Sequence, residues 1–301
     1  MKPAERDRLL ASLRQRLLTL AHSEGADFQT VLTRYGLERF LYRLGHSRHR
    51  GAFLVKGAFL YHAWLEDVAR PTRDLDLLGY GSPDISRIES AIAEIAGIVF
   101  LDDGLDFPVA TIRGEAIREA SLYDGIRIRL VAQLGRTRIP LQLDVGFGDA
   151  AGSDATDLDY PTLLDHEPPN VLAYRPQYVV AEKLEAMVAL GFVNSRLKDY
   201  YDLWRILTNM EISDQDLLIA IQATFAGRRT GIPRKVPDAL TDAFAHDAQK
   251  IIQWEAFLGR SGLDIAGATL DSVVLELRNR LAPLLSLAGT DTSVRLPPAE
   301  I

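Results

Sequence analysis

The 301-residue sequence contains no cysteine, which removes disulfides, thiolate metal sites and cysteine nucleophiles together while leaving the compartment open. Its six histidines fall into no His-Glu-x-x-His or comparable ligand spacing, which disfavours a zinc enzyme. A Gly-x-Ser-x-Gly elbow and a Walker A motif are both missing, so a triad hydrolase and a P-loop ATPase are disfavoured too. Nothing approaches the ~18 uncharged apolar residues of a membrane span. The charged N-terminus MKPAERDRLLASLRQRLL also lacks the apolar core of a secretory signal. These absences predict a cytoplasmic protein without a membrane partner. Excess positive charge is lacking as well: 34 Lys plus Arg stand against 41 Asp plus Glu, a net charge of -7. That excludes a protein that coats nucleic acid by bulk charge and leaves local basic patches as the one route to it.

What is present is an ordinary globular mix, 47% hydrophobic and 25% charged, in a chain long enough for two domains or one large one. Leucines and aromatics at helical spacing predict two N-terminal helices, over residues 4–21 and 27–45. From Gly51 the texture changes to short β-like runs at 52–56, 72–79, 109–118, 125–134 and 138–145, with helices predicted at 58–66 and 84–95. One mixed sheet with flanking helices accounts for this half. Gly, Asp and Pro crowd residues 146–170, where the sheet is expected to end and the chain to cross to something else. Beyond them helical patterns run over 176–190, 197–209, 213–225, 236–258 and 270–285, with one weak strand at 171–174 and a loose tail from 287. The division expected is an α+β domain over 1–170 and a helical C-terminal domain over 171–301.

Chemistry concentrates in Lys56-Gly57-Ala58 followed, after fifteen residues, by Asp74-Leu75-Asp76. Side chains alternate along a strand, so Thr72, Asp74 and Asp76 share one face, with the two carboxylates about 6 to 7 Å apart at their β-carbons. Like charges held so close are unfavourable without a cation, and hard divalent ions take carboxylate oxygens together with substrate phosphates. The plain alternative is a solvated strand end. Gly57 stands where an apolar strand turns into a helix, a place where free N–H groups could meet a phosphate or where the chain merely turns. A third carboxylate lies in Ile139-Pro140-Leu141-Gln142-Leu143-Asp144-Val145; alternation puts Gln142 and Asp144 opposite the apolar residues. Asp144 could join the pair and help prepare an attacking hydroxyl, or cap the loop that follows.

The ordered set K-G-A, R-P-T-R-D-L-D-L, A-E-K-L-E-A-M and R-L-K-D-Y-Y-D-L-W resembles the AbiEii/AbiGii nucleotidyltransferase-like toxins of type IV toxin–antitoxin (abortive infection) systems, over about residues 50–210. The resemblance implies a DNA polymerase β-like nucleotidyltransferase fold with a helical C-terminal domain, NTP and Mg²⁺ (or Mn²⁺) as cofactors, and a cognate antitoxin as partner. It further implies transfer of a nucleotide to RNA, with the tRNA 3′ end as the acceptor. By it Asp74, Asp76 and Asp144 are the metal ligands, and Lys56, Gly57 and Ala58 form the nucleotide-binding turn. That turn departs from the family's usual Gly-Gly or Gly-Ser, so a phosphate contact there has to come from backbone N–H or from Lys56. Lys183 becomes the triphosphate ligand and Asp199 the functional acid of the helical half, while Asp202 fixes its helix; on residue chemistry alone, Lys183 could equally pair with a glutamate such as Glu182. Two rivals stay open: transfer to a protein or small-molecule hydroxyl, and an inactive nucleotide-binding module serving protein–protein contact. An RNA acceptor would draw on Arg43, His46, Arg48, His49 and Arg50, on Arg127 with Arg129, and on Arg228, Arg229, Arg234 and Lys235, each of which could also be solvated surface.

Overall fold

The computed structural model describes residues 2–65, 72–118, 124–148, 154–263 and 267–290. Two compact units emerge, one built from residues 1–63, 71–148 and 155–173, the other from 64–70, 149–154 and 174–301.

The first unit is a mixed sheet with helices on one face. Its strands are β1 (Phe53–Lys56), β2 (Asp74–Gly79), β3 (Leu105–Asp106), β4 (Arg113–Arg118), β5 (Asp124–Leu134), β6 (Thr137–Gly146), β7 (Thr156–Asp159) and β8 (Asn170–Ala173). Their order is β3-β5-β6-β2-β1-β8-β7, with β4 also paired to β5. The strands at the centre follow their period-2 pattern. In β6, Ile139, Leu141, Leu143 and Val145 are buried while Gln142 and Asp144 are half-buried, and β2 repeats this with Leu75 and Leu77 against Asp74 and Asp76.

Helices α1 (Pro3–Ser23), α2 (Phe28–Gly45) and α4 (Ile85–Ala96) accompany the sheet, and the one-turn α3 (Tyr61–Trp64) follows β1. Helix α2, capped by Asp27 accepting from the Thr30 N–H, lies directly on β6. A Cβ on its Gly36 would stand 3.0 Å from Leu141 Cδ2. In the same way a Cβ on Gly114 of β4 would meet Ile85 of α4 at 2.7 Å, which puts α4 on the same apolar face. The opposite face is left to the polar residues.

Three expectations are corrected here. The sheet does not end before residue 170, because β7 pairs with β8 and β8 runs parallel to β1. Their short, half-polar stretches carry little alternation to read. The helix expected over 58–66 is a 3-10 turn at Gly57–Leu60 and then α3. Ala58, Phe59, Leu60 and Tyr61 are all buried, so no amphipathic stripe exists to favour a longer helix. The third correction falls in the second unit. Here α5 (Pro176–Leu190), α6 (Leu197–Asn209), α7 (Asp214–Gly227), α9 (Ala248–Ser261) and α10 (Leu270–Ala288) follow the predicted periodicity, but the segment 236–258 is broken into a 3-10 turn, α8 (Asp242–Ala245) and α9. Two caps cause the break: the Thr241 side chain accepts from the Phe244 N–H and the Asp247 side chain from the Lys250 N–H. The tail predicted from 287 lies, after 290, outside the described residues.

Candidate active site

The polar face of the sheet is organised by register. β2 and β6 run parallel with Asp76 beside Asp144 and Asp74 beside Gln142. β1 is antiparallel to β2 with Lys56 opposite Asp76, and β5 is antiparallel to β6 with Arg127 opposite Asp144. One rung across four strands therefore reads Lys56, Asp76, Asp144, Arg127, two carboxylates flanked by two cations. Neighbouring strands are about 4.8 Å apart, so this rung and the adjacent Asp74 bring three carboxylates to one spot. Asp74, Asp76 and Asp144 each offer an oxygen lying within 4.8 Å of the others. All three are half-buried, open enough to receive a ligand.

Each aspartate is held. The Thr72 hydroxyl donates to Asp74 Oδ1 at 2.9 Å. Gly57 takes a left-handed φ of +71° and lies so close to Asp76 that a Cβ would fall 2.1 Å from its Oδ2. The glycine after β1 is thus needed to make room for a carboxylate. Arg127 forks onto Asp144, with Nε at 2.8 Å from Oδ1 and an Nη at 2.7 Å from Oδ2, while Gln142 Nε2 donates to Oδ2 at 3.2 Å. The hydrogen bond to Asp144, aided by the charges of Asp144, Glu115 and Asp74, raises the Arg127 pKa despite partial burial. Oxygen-only donors, three of them anionic and converging, fit a hard divalent ion and suit zinc or copper poorly.

The turn at Lys56–Ala58, expected to bind nucleotide, is built differently from a helix N-terminus. Ala58 is buried and the 3-10 turn Gly57–Leu60 yields to a single α-turn, too short to sum peptide dipoles. Tyr160 fastens this turn, its hydroxyl donating to the Phe59 carbonyl at 3.1 Å and its ring stacked on Phe59 at 4.8 Å.

In the second unit Lys183 of α5 donates to Asp199 Oδ1 at 2.6 Å and to Asp202 Oδ2 at 2.8 Å, both on α6. Arg196 Nε stands 2.7 Å from Asp199 Oδ2. Both aspartates are fully buried. Burial pushes the Asp199 pKa up, but the charges of Lys183 and Arg196 with the Lys183 hydrogen bond outweigh it and leave it lowered. Lys183 is thus shared between both aspartates of α6.

The basic segments are largely engaged with carboxylates of their own unit. Arg43 is buried and forks onto Asp103, so it cannot serve as a surface cation. Arg48 and His49 meet Glu94, Arg50 meets Asp157 and Asn170, and Arg129 meets Glu115. Arg228 pairs with Glu182 and Glu185, whereas Arg229, Arg234 and Lys235 are exposed. Arg127 had been weighed as one of these surface cations, and its place beside Asp144 was missed. The signal was there in its alternation with Arg129 on a strand, but one strand's sequence does not name the residue across the ladder.

Against this geometry, residues 39–273 match the family described as "Nucleotidyl transferase AbiEii toxin, Type IV TA system". The chain belongs to that family. It is accordingly a nucleotidyltransferase of a type IV toxin–antitoxin system, a class that implies an antitoxin partner. No significant match to a curated protein was found. Among solved structures, JHP933 from Helicobacter pylori is similar at 13% identity and TM-score 0.46, over 86% of this chain and 91% of that one. A second H. pylori chain, described as a candidate nucleotidyltransferase, matches at 13% identity and TM-score 0.46 over 86% and 94%. No helix among the described residues is long and apolar enough to cross a membrane.

Proposed function

We propose that the protein is a divalent-metal-dependent nucleotidyltransferase of DNA polymerase β-like architecture that transfers a nucleoside monophosphate from an NTP to the 3′ end of an RNA, with tRNA as the acceptor, in the cytoplasm. The observation that carries the metal dependence is the convergence of Asp74, Asp76 and Asp144 within 4.8 Å. In this reading those three aspartates hold Mg²⁺ or Mn²⁺, which supplies neutralisation of triphosphate charge and polarisation of the phosphoryl group. The acceptor hydroxyl forms a bond to the α-phosphorus, the bond to pyrophosphate breaks, and Asp144 is the group assigned to orient or receive the hydroxyl proton. Lys56 and the backbone at Gly57 and Ala58 seat phosphate oxygens. From the family resemblance Lys183 is assigned to the triphosphate and Asp199 is the functional acid of the helical half; the bond between them gives Asp199 the means to orient Lys183. Catalysis is then mostly positioning and electrostatics.

A second reading, transfer to a protein or small-molecule hydroxyl, is favoured by one observation: Arg43, Arg48, Arg50 and Arg129 are already engaged with carboxylates. The test is incubation of the purified protein with each labelled NTP and Mg²⁺ or Mn²⁺ in the presence of tRNA, total protein or a metabolite pool. Label is expected on tRNA and is expected to vanish in Asp74→Asn and Asp76→Asn, which keep the fold because losing one of several like charges relieves repulsion. Label on protein or metabolites instead moves the acceptor to the second reading. Full activity in either variant removes the metal site, and no transfer to any pool favours a nucleotide-binding module.

A further inference from the structure

Three carboxylates at one place on a sheet repel one another, and here the compensating charge nearest to hand is a side chain of the protein. Arg127 reaches across the β5–β6 ladder and covers both oxygens of Asp144 at 2.8 and 2.7 Å, the two-point fork that makes arginine–carboxylate pairs strong. Gln142 adds a third donor to Oδ2. Asp74 is otherwise bound only through the Thr72 hydroxyl on Oδ1 among the hydrogen bonds described above. Asp144 is thus forked by a guanidinium, and the guanidinium lies on the side of the rung away from Asp76.

We propose that Arg127 is a resident counter-ion that competes with the divalent ion for Asp144. An ion using only Asp74 and Asp76 leaves the pair undisturbed. An ion that also uses Asp144 has to draw that carboxylate off the guanidinium fork, so the Asp144-dependent site has its affinity reduced by the share of molecules in which the fork is closed. Arg127 is thus a positioning residue that sets the affinity of the Asp144-dependent site. The proposal rests on reading the aspartate triad as the metal site.

The experiment is Mn²⁺ binding to the full chain, followed by the electron-paramagnetic-resonance signal of free Mn²⁺ and by calorimetry, without nucleotide and without turnover. Arg127→Gln is expected to tighten Mn²⁺ binding about tenfold. Arg127→Lys, which keeps a cation but not the fork, is expected to fall between Arg127→Gln and wild type, and it carries the comparison if circular dichroism shows Arg127→Gln unfolded. In an Asp144→Asn background the Arg127→Gln gain is expected to disappear, because nothing remains to compete for. A gain of the same size in that background means simple field relief and overturns the proposal. Unchanged or weaker binding in both Arg127 variants also overturns it, by making Arg127 a support for Asp144. If wild type binds Mn²⁺, only this inference has failed; if no variant binds it, the metal reading has failed first.

Discussion

Gly57 is where single-residue physics and the site meet most directly. Its φ of +71° alone disfavours any side chain, and a Cβ there would overlap Asp76 Oδ2. Gly57→Ala is therefore expected to cost about 1–3 kcal/mol of stability, from backbone strain and displacement of Asp76 together. Because the displaced group is a proposed metal ligand, Mn²⁺ affinity is expected to fall by more than stability alone predicts. A thermal melt and an Mn²⁺ titration of the same preparation check this, and a variant that melts lower but binds Mn²⁺ as wild type does would separate the glycine from the site. That Gly57 mattered was legible in the sequence; the reason was not. A glycine after an apolar strand suggests close approach of a phosphate or a turn equally well, and only the pairing of β1 with β2 reveals that the atom approaching it belongs to Asp76.

At the scale of elements, what was legible divides by the range of the interaction. Alternation in β2 and β6 assigned Asp74, Asp76 and Asp144 to polar faces, because period two is a local property. That β2 and β6 are neighbours, in the one register that sets Asp76 beside Asp144, is non-local and leaves no mark within either strand. Helices α5 and α6 show the same division. Lys183 and Asp199 were singled out by the family resemblance, yet the ion cluster joining the two helices depends on how they pack. Lys183 is its centre, bonded to two buried carboxylates. Lys183→Met takes the shared cation from two buried carboxylates, of which Asp199 keeps Arg196, and breaking such a pair typically costs about 3–5 kcal/mol. The pH dependence has a definite sign. Asp199 has a lowered pKa in the folded chain, so its contribution is present above its unfolded value and is lost as pH falls through the folded one. The gap in stability between wild type and Lys183→Met is expected to be widest near neutral pH and to shrink on acidification. Denaturant unfolding at several pH values measures it, and a gap that widens in acid would contradict this account of the cluster.

The whole molecule is acidic, at -7, and most of the arginines first suspected of meeting RNA are tied to carboxylates of their own unit. Of the cations weighed for RNA, Arg229, Arg234 and Lys235 are exposed. Phosphate contacts by such cations release counter-ions and weaken steeply with salt. Family membership makes the protein a toxin, and the proposed chemistry makes its toxicity a property of the aspartate triad. Expression without an antitoxin is expected to slow growth of a bacterial host, and Asp76→Asn at matched soluble expression is expected to restore it. Asp76 is the right position to change because it lies between Lys56 and Asp144 in the rung, so the substitution removes one charge from the crowded centre and leaves the Arg127–Asp144 fork standing. Electrophoresis of tRNA from both cultures reads the chemistry, wild type giving extended tRNA and Asp76→Asn giving none. Toxicity that survives the substitution would come from binding and not transfer. Toxicity lost with the substitution, on tRNA that never changed length, would keep the triad and assign it a different acceptor.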